Sequence, residues 1–476
     1  MGISRLNITK VGVKDFFGNP EKVFITLATI FGLAMIFSMP LFMVPDEAVH
    51  FDRAYQIGSG HLLSQTVDGV TGGIVPVIPG SVKTINGLMV PPIPRSQYFR
   101  KILSSDKKFV AFPSSATYSP VAYIPQATGI DLGRIFSQSL GSMVIIGRIF
   151  NLAAYIFLVW LAIRIARYGK WVYAVAALFP VAIQEAASLS TDVMTIGLAF
   201  VSIAFIHSLF LQDKPISNRQ YMYIGLLGLG LGLTKQTNIV FLLPILFLPK
   251  NIFKSLWGKF GFIVVGAGIS IFAAISWYLI MKYQKYELND AKTLDIGNVN
   301  PVEQLKYVVE YPLKFIETLF RTYIFGGFHN PTILPNFYWI SMYGFFSLFA
   351  YQLPIPFISL GYIILLIAFL YTGSERQKMK PVIKLSIIQT VEFVLAAIAV
   401  ALALYLVWTP VGATTVDGIQ GRYFIPLIPL LIPLFTIVSR WIRISLDKPY
   451  RMGMLVSVVS LINLSATILL TLRYFP

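Results

Sequence analysis

A short polar stretch after the first apolar run of the chain holds the residues best suited to chemistry. It contains Pro45, Asp46, Glu47, His50 and Arg53. The proline and the two acids suit the first turn of a helix. Asp46, His50 and Arg53 recur at the i, i+4 and i+7 spacing that places side chains on one helical face. Such a face offers a general base beside a cation for an anionic substrate; helix capping with a surface ion pair is the alternative interpretation.

The spacing of the two acids limits the kinds of chemistry. Side chains at i and i+1 diverge by about 100° on a helix, so Asp46 and Glu47 cannot face each other across a glycosidic bond as a hydrolase pair does. One base with a helper fits better. A metal site of Asp46, Glu47, His50 and His61 is a further hypothesis, because all four side chains are metal ligands. No cofactor is predicted, and a divalent metal is only an alternative.

Composition places these residues in an integral membrane protein. Of the 476 residues, 56% are hydrophobic and 12% are charged, against roughly 45–50% and 25% in soluble domains. The mean hydropathy of +0.71 excludes an ordinary soluble enzyme. The absence of Cys excludes disulfides, zinc–thiolate clusters and thiol catalysis.

The apolar runs predict an all-α polytopic membrane protein. Runs of sufficient length lie at 23–44, 142–163, 171–188, 191–211, 260–281, 355–372, 385–408, 422–440 and 453–472. The stretch 222–249 is interrupted by polar residues around Lys235, which predicts a hairpin of two short or broken helices. The sum is eleven membrane-crossing segments. The first run lacks a small-residue cleavage site, which favours a retained anchor over a signal peptide.

The distribution of Lys and Arg predicts the orientation. With a cytoplasmic N-terminus, the short cytoplasmic segments hold 20 of the 38 basic residues, whereas the loops 45–141 and 282–336 hold 14 basic residues against 12 acids. This positive-inside pattern explains most of the net charge of +17 without a nucleic-acid partner. Both long loops, and any chemistry, are expected outside.

The predicted organisation has four parts. They are a cytoplasmic N-terminus (1–22), a catalytic membrane module with the first loop (23–281), a second loop region with interfacial helices (282–354) and C-terminal membrane helices (355–476). Within the second loop, the pattern from Val302 to Phe325 predicts an amphipathic helix at the membrane interface.

The acidic motif resembles that of the GT-C superfamily of integral-membrane glycosyltransferases, in which an Asp-containing motif follows the first span. The run from Asp46 to Phe51 is similar to that of the protein O-mannosyltransferases. The chain resembles more closely an uncharacterised bacterial family of predicted multi-spanning proteins placed in that superfamily. The similarity covers about residues 30–440, and four further stretches carry it: Tyr118–Gln126, Gly147–Asn151, Ala187–Asp192 and Asp417–Pro426.

The resemblance implies a GT-C-type bundle with a polyprenyl-phosphate sugar donor and an acceptor hydroxyl at the outer face of a bacterial plasma membrane. Asp46 would be the base of an inverting hexosyl or pentosyl transfer, and Glu47 would orient Asp46 or the acceptor. The residues expected to bind substrate are His50, Arg53, Tyr118, Asp192, Lys235, Arg422 and Tyr423. Simpler roles are an N-cap for Asp192 and an interfacial anchor for Arg422. Arg148 is expected to bond Glu392 or Asn151.

Other functions fit the same pattern. The resemblance implies an acceptor of one of three classes: a glycan (for example a cell-wall polymer), a lipid or a protein. A polymerase or ligase that moves whole glycans between lipids is a further option. A transporter or flippase for a lipid-linked or anionic glycan is the alternative from another class. Transporters place ionisable residues near the bilayer midplane, and here only Glu392 is clearly mid-span. The sequence therefore favours the enzyme.

Overall fold

The fold is mostly helical. The computed structural model describes residues 12–78, 83–85, 88–102, 106–286, 299–325, 337–348, 351–375, 378–442 and 448–475. Within these residues, eight helices are long and apolar enough to cross a membrane. The chain is therefore a polytopic membrane protein.

The helices are numbered in chain order. They are α1 (Pro20–Ser38), α2 (Glu47–Gly58), α3 (Pro113–Ala116), α4 (Ile124–Phe136), α5 (Leu140–Ile165), α6 (Lys170–Ala177), α7 (Pro180–Ala186), α8 (Asp192–Phe210), α9 (Asn218–Thr234), α10 (Leu256–Tyr283), α11 (Pro301–Glu310), α12 (Pro312–Phe325), α13 (Phe337–Tyr343), α14 (Ile355–Tyr371), α15 (Met379–Val407), α16 (Ile432–Val438) and α17 (Pro449–Tyr474). The 3-10 helices are Arg95–Gln97, Pro120–Tyr123, Gln236–Phe247, Lys250–Ile252, Thr372–Ser374 and Gly421–Leu431.

A small β layer belongs to the first long loop. Its strands are β1 (Gln65–Val67), β2 (Val70–Pro76), β3 (Lys83–Ile85), β4 (Leu88–Val90) and β5 (Lys107–Ala111). The antiparallel order is β1-β2-β5, and β3 pairs with β4 in a separate hairpin. Two-residue strands β6 (Phe345–Phe346) and β7 (Tyr351–Gln352) pair farther along the chain. We call the end of the bundle where α1 ends and this layer begins the loop face.

Proline and backbone breaks divide the apolar runs. The run 171–188 becomes α6 and α7, because Pro180 starts a new helix. The stretch 222–249 breaks at Lys235, whose backbone is extended, as the polar interruption predicts. Its second piece is a 3-10 helix that contains Pro244. The predicted count of eleven crossings adds the run 171–188 and the two pieces of 222–249 to the eight candidate spans. These pieces are shorter than the candidate spans, so the count stays a prediction.

Two predicted helix boundaries are wrong. The run 23–44 is helical only to Ser38, and α2 begins at Glu47, with Pro45 outside the helix. The predicted helix Val302–Phe325 is two helices that break at Tyr311, because the residue before Pro312 is driven out of helical geometry.

Two of the hydrophobic cores determine how the first loop sits on the bundle. The larger lies among α1, α5, α6, α7 and α8. The second lies beneath the first loop, where Phe42, Phe51, Tyr123 and Trp277 pack together. The loop layer is thus fixed to the bundle.

Candidate functional site

The connection from α1 to α2 is held in an unusual backbone conformation. Phe42 and Asp46 adopt φ values of 64° and 63°, a left-handed region that non-glycine residues rarely occupy. Three contacts hold the connection: Glu47 Oε2 accepts from the Phe42 N–H at 2.9 Å, the Tyr98 hydroxyl accepts from the Leu41 N–H at 3.0 Å, and Met43 O accepts from a serine hydroxyl at 2.8 Å. Strained conformations persist where the surroundings determine them, so the position of Asp46 is fixed by its neighbours.

Arg148 anchors this connection from α5. Its Nε and Nη2 donate to the two oxygens of Glu47, both at 2.7 Å. Its remaining N–H groups donate to the carbonyls of Ile36, Met39 and Pro40 at 2.9–3.2 Å. Neither charged side chain is exposed. Arg148 therefore satisfies carbonyls at the end of α1 and holds the first residue of α2 at the same time.

This arrangement differs from two expectations. The expected bond from Arg148 to Glu392 or Asn151 is wrong, since its partner is Glu47. Asn151 instead donates to the carbonyls of Ser188 and Ser190. Glu47 is fully occupied by Arg148 and the Phe42 N–H, which leaves Asp46 as the carboxylate of the pair that faces open space, with 53% of its side chain exposed.

Arg422 gathers three carboxylates at the loop face. Its Nη2 lies 2.8 Å from Asp46 Oδ2, its Nη1 lies 2.9 Å from Glu185 Oε2, and its Nε lies 3.4 Å from Asp192 Oδ2. The arginine side chain is only 6% exposed. One guanidinium thus meets three acids, so the acidic groups of this cluster outnumber its cation.

Buried amides and a glycine position this cluster. Asn151 and Gln126 donate to carbonyls of the turn between α7 and α8, which places Asp192 at the start of α8. Gly421 precedes Arg422, and a Cβ at this glycine would lie 2.1 Å from backbone atoms of α13. Only glycine fits this approach, so the backbone itself sets where Arg422 emerges.

Lys235 is a second cation of the site. Its Nζ lies 4.8 Å from the centre of the Tyr423 ring, and the Arg422 guanidinium lies 5.5 Å from the same ring. In the described part of the chain, Lys235 forms no ion pair with a carboxylate. Its charge is therefore available to an anion.

Aromatic side chains form one wall beside Asp46. His50 Nδ1 lies 2.8 Å from the Tyr123 hydroxyl, which also donates to Ser115 O at 3.4 Å. The ring of Tyr118 lies 6.4 Å from that of His50. Burial lowers the pKa of His50 despite the nearby Asp46 and Asp192, so the imidazole is neutral at neutral pH.

A cavity of about 370 Å³ opens next to this cluster, and we call it the amphipathic groove. Its polar end is formed by Tyr118, Lys235 and Tyr423. Its apolar walls come from α10 and α15, and they are Tyr278, Met281, Val400, Ala403, Leu404, Leu406 and Val407. Asp192, Lys235 and Arg422 also line a smaller neighbouring cavity of about 30 Å³.

Most of the residues predicted to bind substrate lie together here. The group comprises His50, Tyr118, Asp192, Lys235, Arg422 and Tyr423 around Asp46. Arg53 is excluded: it is fully buried and donates to Gln56 and to Leu62 O instead of sharing the face of Asp46. Its place on that face fails because Asp46 is not helical.

Two further expectations are corrected by the geometry. Thr191, not Asp192, is the N-cap of α8, and the Asp192 carboxylate turns toward Arg422. The four-residue metal hypothesis fails, since Glu47 is bound to Arg148 and His61 is exposed beyond α2. Among the described residues, no group of three or more His, Asp or Glu side chains could hold a metal ion.

Sequence reasoning missed Glu185. It lies in α7 with its side chain 1% exposed, and it pairs with Arg422. The available signal was a single acid inside an apolar run, which requires a partner in a membrane protein.

Comparison with known protein families gives a match over most of the chain. No curated protein and no solved structure matches the chain. Residues 29–431 match a family described as predicted membrane proteins, DUF2142. This range includes every residue of the cluster around Arg422 as well as Lys235 and the wall formed by His50, Tyr118 and Tyr123. The chain therefore belongs to the DUF2142 family of membrane proteins.

Proposed function

We propose that this protein is a glycosyltransferase that moves a sugar from a polyprenyl-phosphate donor to an acceptor hydroxyl. One observation carries the proposal: the half-exposed carboxylate of Asp46 lies beside a groove with a cationic end and apolar walls. A lipid-linked sugar phosphate has this division of polar and apolar parts. The GT-C resemblance of the acidic motif supports the same reaction.

The donor would bind in the amphipathic groove. Its polyprenyl chain would lie between α10 and α15, against Met281, Val400 and Leu404. Its phosphate would lie at Lys235, which has no ion pair with a described carboxylate. Arg422, which was also expected to bind substrate, is less suited than Lys235 to receive the phosphate, because three carboxylates already surround it.

The chemical step follows from these positions. The acceptor oxygen attacks the anomeric carbon from the side opposite the phosphate, and Asp46 takes the hydroxyl proton as the new C–O bond forms. The bond from the anomeric carbon to the phosphate oxygen breaks, and its electron pair stays on the phosphate. Lys235 stabilises that charge. The anomeric configuration inverts, and the exposed side of Asp46 returns the proton to water.

Arg422 would position the base in this scheme. Its bond to Asp46 orients the carboxylate. Glu185 and Asp192 in turn hold the guanidinium. The neutral imidazole of His50 would contact a sugar hydroxyl from the aromatic wall.

The membrane arrangement is part of the proposal. The apolar runs support eleven crossings, and the positive-inside pattern supports a cytoplasmic N-terminus and a loop face on the outer side. The GT-C resemblance implies that the membrane is a bacterial plasma membrane. A glycan, a lipid or a protein would present the acceptor hydroxyl there. A transporter for a lipid-linked glycan is the second candidate, favoured by the buried Glu392, whose carboxylate oxygens bond no described group.

Asp46→Asn tests the proposal. Purified protein in vesicles is given a panel of polyprenyl-phosphate sugars, and release of polyprenyl phosphate is measured. We expect the Asn variant to lose about 100-fold or more of the rate, because a positioned general base typically contributes 10²–10⁴-fold.

Asp131→Asn is the matched control for this substitution. Asp131 is also a partly exposed acid of the first loop that pairs with an arginine, Arg134. The control is expected to keep its rate. Unchanged release by Asp46→Asn would contradict the role of base, and movement of the labelled lipid across the vesicle without any release would support the transporter.

A further inference from the structure

A second cavity lies in the loop layer and shares no lining residue with the amphipathic groove. Its volume is about 270 Å³. Three cations line it, Arg100, Lys101 and Lys108, against one acid, Asp106. The remaining lining is Pro76, Val77, Ile93, Gln97, Ile102 and Leu140. The cavity is therefore positively charged.

The backbone holds these cations in place. Lys108 belongs to β5 and pairs with Val75 of β2. Lys101 forms an isolated bridge with Ser139, and the N–H of the next residue donates to Gln138 O at 2.9 Å. Arg100 lies 3.6 Å from Asp106, whereas the two lysines pair with no described carboxylate. Lys101 and Lys108 therefore line the cavity as two cations without a described carboxylate partner.

Contacts beside the cavity connect it to the ends of two candidate membrane spans. Arg95, two residues before Gln97 of the lining, donates to Ser38 O at the end of α1 and to Phe475 O just after α17. On the far side, Leu140 opens α5 two helical turns before Arg148, which contacts the end of α1. Two turns rise about 11 Å, and the headgroup layer of one leaflet is about 5–8 Å thick. The cavity therefore overlaps that layer.

Exposed aromatic rings accompany the cations. Phe99, next to Arg100, is 68% exposed, and Phe136, at the end of α4 beside the Ser139 bridge, is 75% exposed. A soluble polyanion would not need exposed rings, whereas aromatic and basic side chains together are typical of segments that anchor in a membrane interface.

We propose that this cavity binds the phosphate of an anionic phospholipid in the leaflet at the loop face. Lys101 and Lys108 contact the phosphate, and Phe99 and Phe136 contact the glycerol and the upper acyl chains. Such a site would fasten the loop layer to the bilayer. It is independent of the sugar-transfer proposal, because no residue of the amphipathic groove takes part.

Lipid retention by the full-length protein tests the site. The protein is reconstituted in vesicles of phosphatidylcholine with and without phosphatidylglycerol, re-extracted in detergent and weighed by native mass spectrometry. We expect phosphatidylglycerol to be enriched on the wild type. The double substitution Lys101→Gln, Lys108→Gln should reduce the enrichment by roughly fivefold for each lysine.

Lys107→Gln is the matched control. Lys107 precedes Lys108 in the same strand, but it points to the other side, toward the ring of Tyr55 at 5.6 Å, and does not line the cavity. It should keep the enrichment, and all variants should show the same thermal midpoint. Absence of enrichment on the wild type, an equal loss in Lys107→Gln, or displacement of the lipid by dilute glycerol 3-phosphate would each overturn the proposal, the last by identifying a site for soluble anions.

Discussion

At the scale of single residues, the contacts of Arg148 show what positions the candidate base. Its five N–H groups are all used, two on Glu47 and three on carbonyls at the end of α1. A planar guanidinium makes this set of bonds, whereas a lysine ammonium cannot. Removal of either charge leaves the other buried and unpaired, which typically costs 3–5 kcal/mol. Asp46 directly precedes Glu47 in the chain, so its position depends on the Arg148–Glu47 pair.

Arg148→Lys keeps the charge but removes donors from several buried acceptors, at about 1–3 kcal/mol each, so we expect it to destabilise the protein by about 3 kcal/mol or more and to impair sugar transfer. The physical reason is that the carbonyls of Ile36 and Pro40 and one oxygen of Glu47 lose their donors. The measurement is the thermal unfolding midpoint in detergent, followed by the rate of polyprenyl-phosphate release.

Arg134→Lys is the control for that change, because Arg134 pairs with Asp131 where both side chains are more than a third exposed. Exposed pairs contribute about 0–1 kcal/mol, so its midpoint should hardly move. If both lysine variants unfold alike, the Arg148 pair is not what holds the connection.

The sequence could identify Asp46, Asp192, Lys235 and Arg422 but not their partners. Their types and places at the ends of apolar runs suggest a site, because ionisable residues there need a reason. Arg422 pairs with Asp46 and Glu185 only because α2, α7 and the 3-10 helix Gly421–Leu431 meet in the folded chain. A pairing across several hundred residues has no local signature.

At the scale of helices and strands, length and apolar composition predicted most spans, because a bilayer sets the number of apolar residues that a helix needs. The breaks were harder to place. Pro180 and Lys235 divide runs as their types suggest. The 3-10 geometry of Gly421–Leu431, with Pro426 and Pro429 inside, depends on packing as well as on proline. The β layer of the first loop gave no clear pattern.

The contact between α9 and α10 depends on glycine. A Cβ on Gly228 would lie 2.3 Å from Gly266 O, too close for any side chain without separation of the helices. Gly228→Ala should therefore lower the thermal midpoint. It should also reduce sugar transfer, because Lys235 follows α9 and Met281 of α10 lines the amphipathic groove.

Gly261→Ala in α10 is the control, and its effect on the thermal midpoint is expected to be opposite to that of Gly228→Ala. Nothing lies within 4 Å of a Cβ at this glycine, and alanine is favoured over glycine in a helix by about 1 kcal/mol. Its midpoint should stay or rise. A fall of the same size in both variants would mean that close packing at Gly228 is not the cause.

At the scale of the whole molecule, the charged residues of the candidate site lie toward one end. Asp46, Asp192 and Arg422 all meet at the loop face. Glu392 is set apart: it is fully buried in α15, and neither of its oxygens bonds a described group. Ala396, one turn farther along α15, lines the smaller cavity. In the other direction, Gln389 bonds His207 of α8 at 2.8 Å.

The buried Glu392 is a residue that a transporter would need and an enzyme at the loop face would not. Transport of a charged or hydrated substrate needs ionisable groups inside the bilayer that bind and release it. Sugar transfer at the loop face does not. Glu392→Gln keeps the size of the side chain and removes only its ionisable proton, so under the proposed function it should leave polyprenyl-phosphate release within a few-fold of the wild type. Stability should be equal or higher, because no carboxyl has to be buried without a partner.

Release and lipid movement are to be measured in the same vesicles, with Asp46→Asn beside Glu392→Gln. The enzyme predicts that release stops in the first variant and continues in the second. A transporter predicts labelled lipid crossing the bilayer in the wild type and in Asp46→Asn, and its loss in Glu392→Gln. Each substitution changes one acid to its amide. A difference between the two variants therefore shows whether activity needs the acid at the loop face or the acid inside α15.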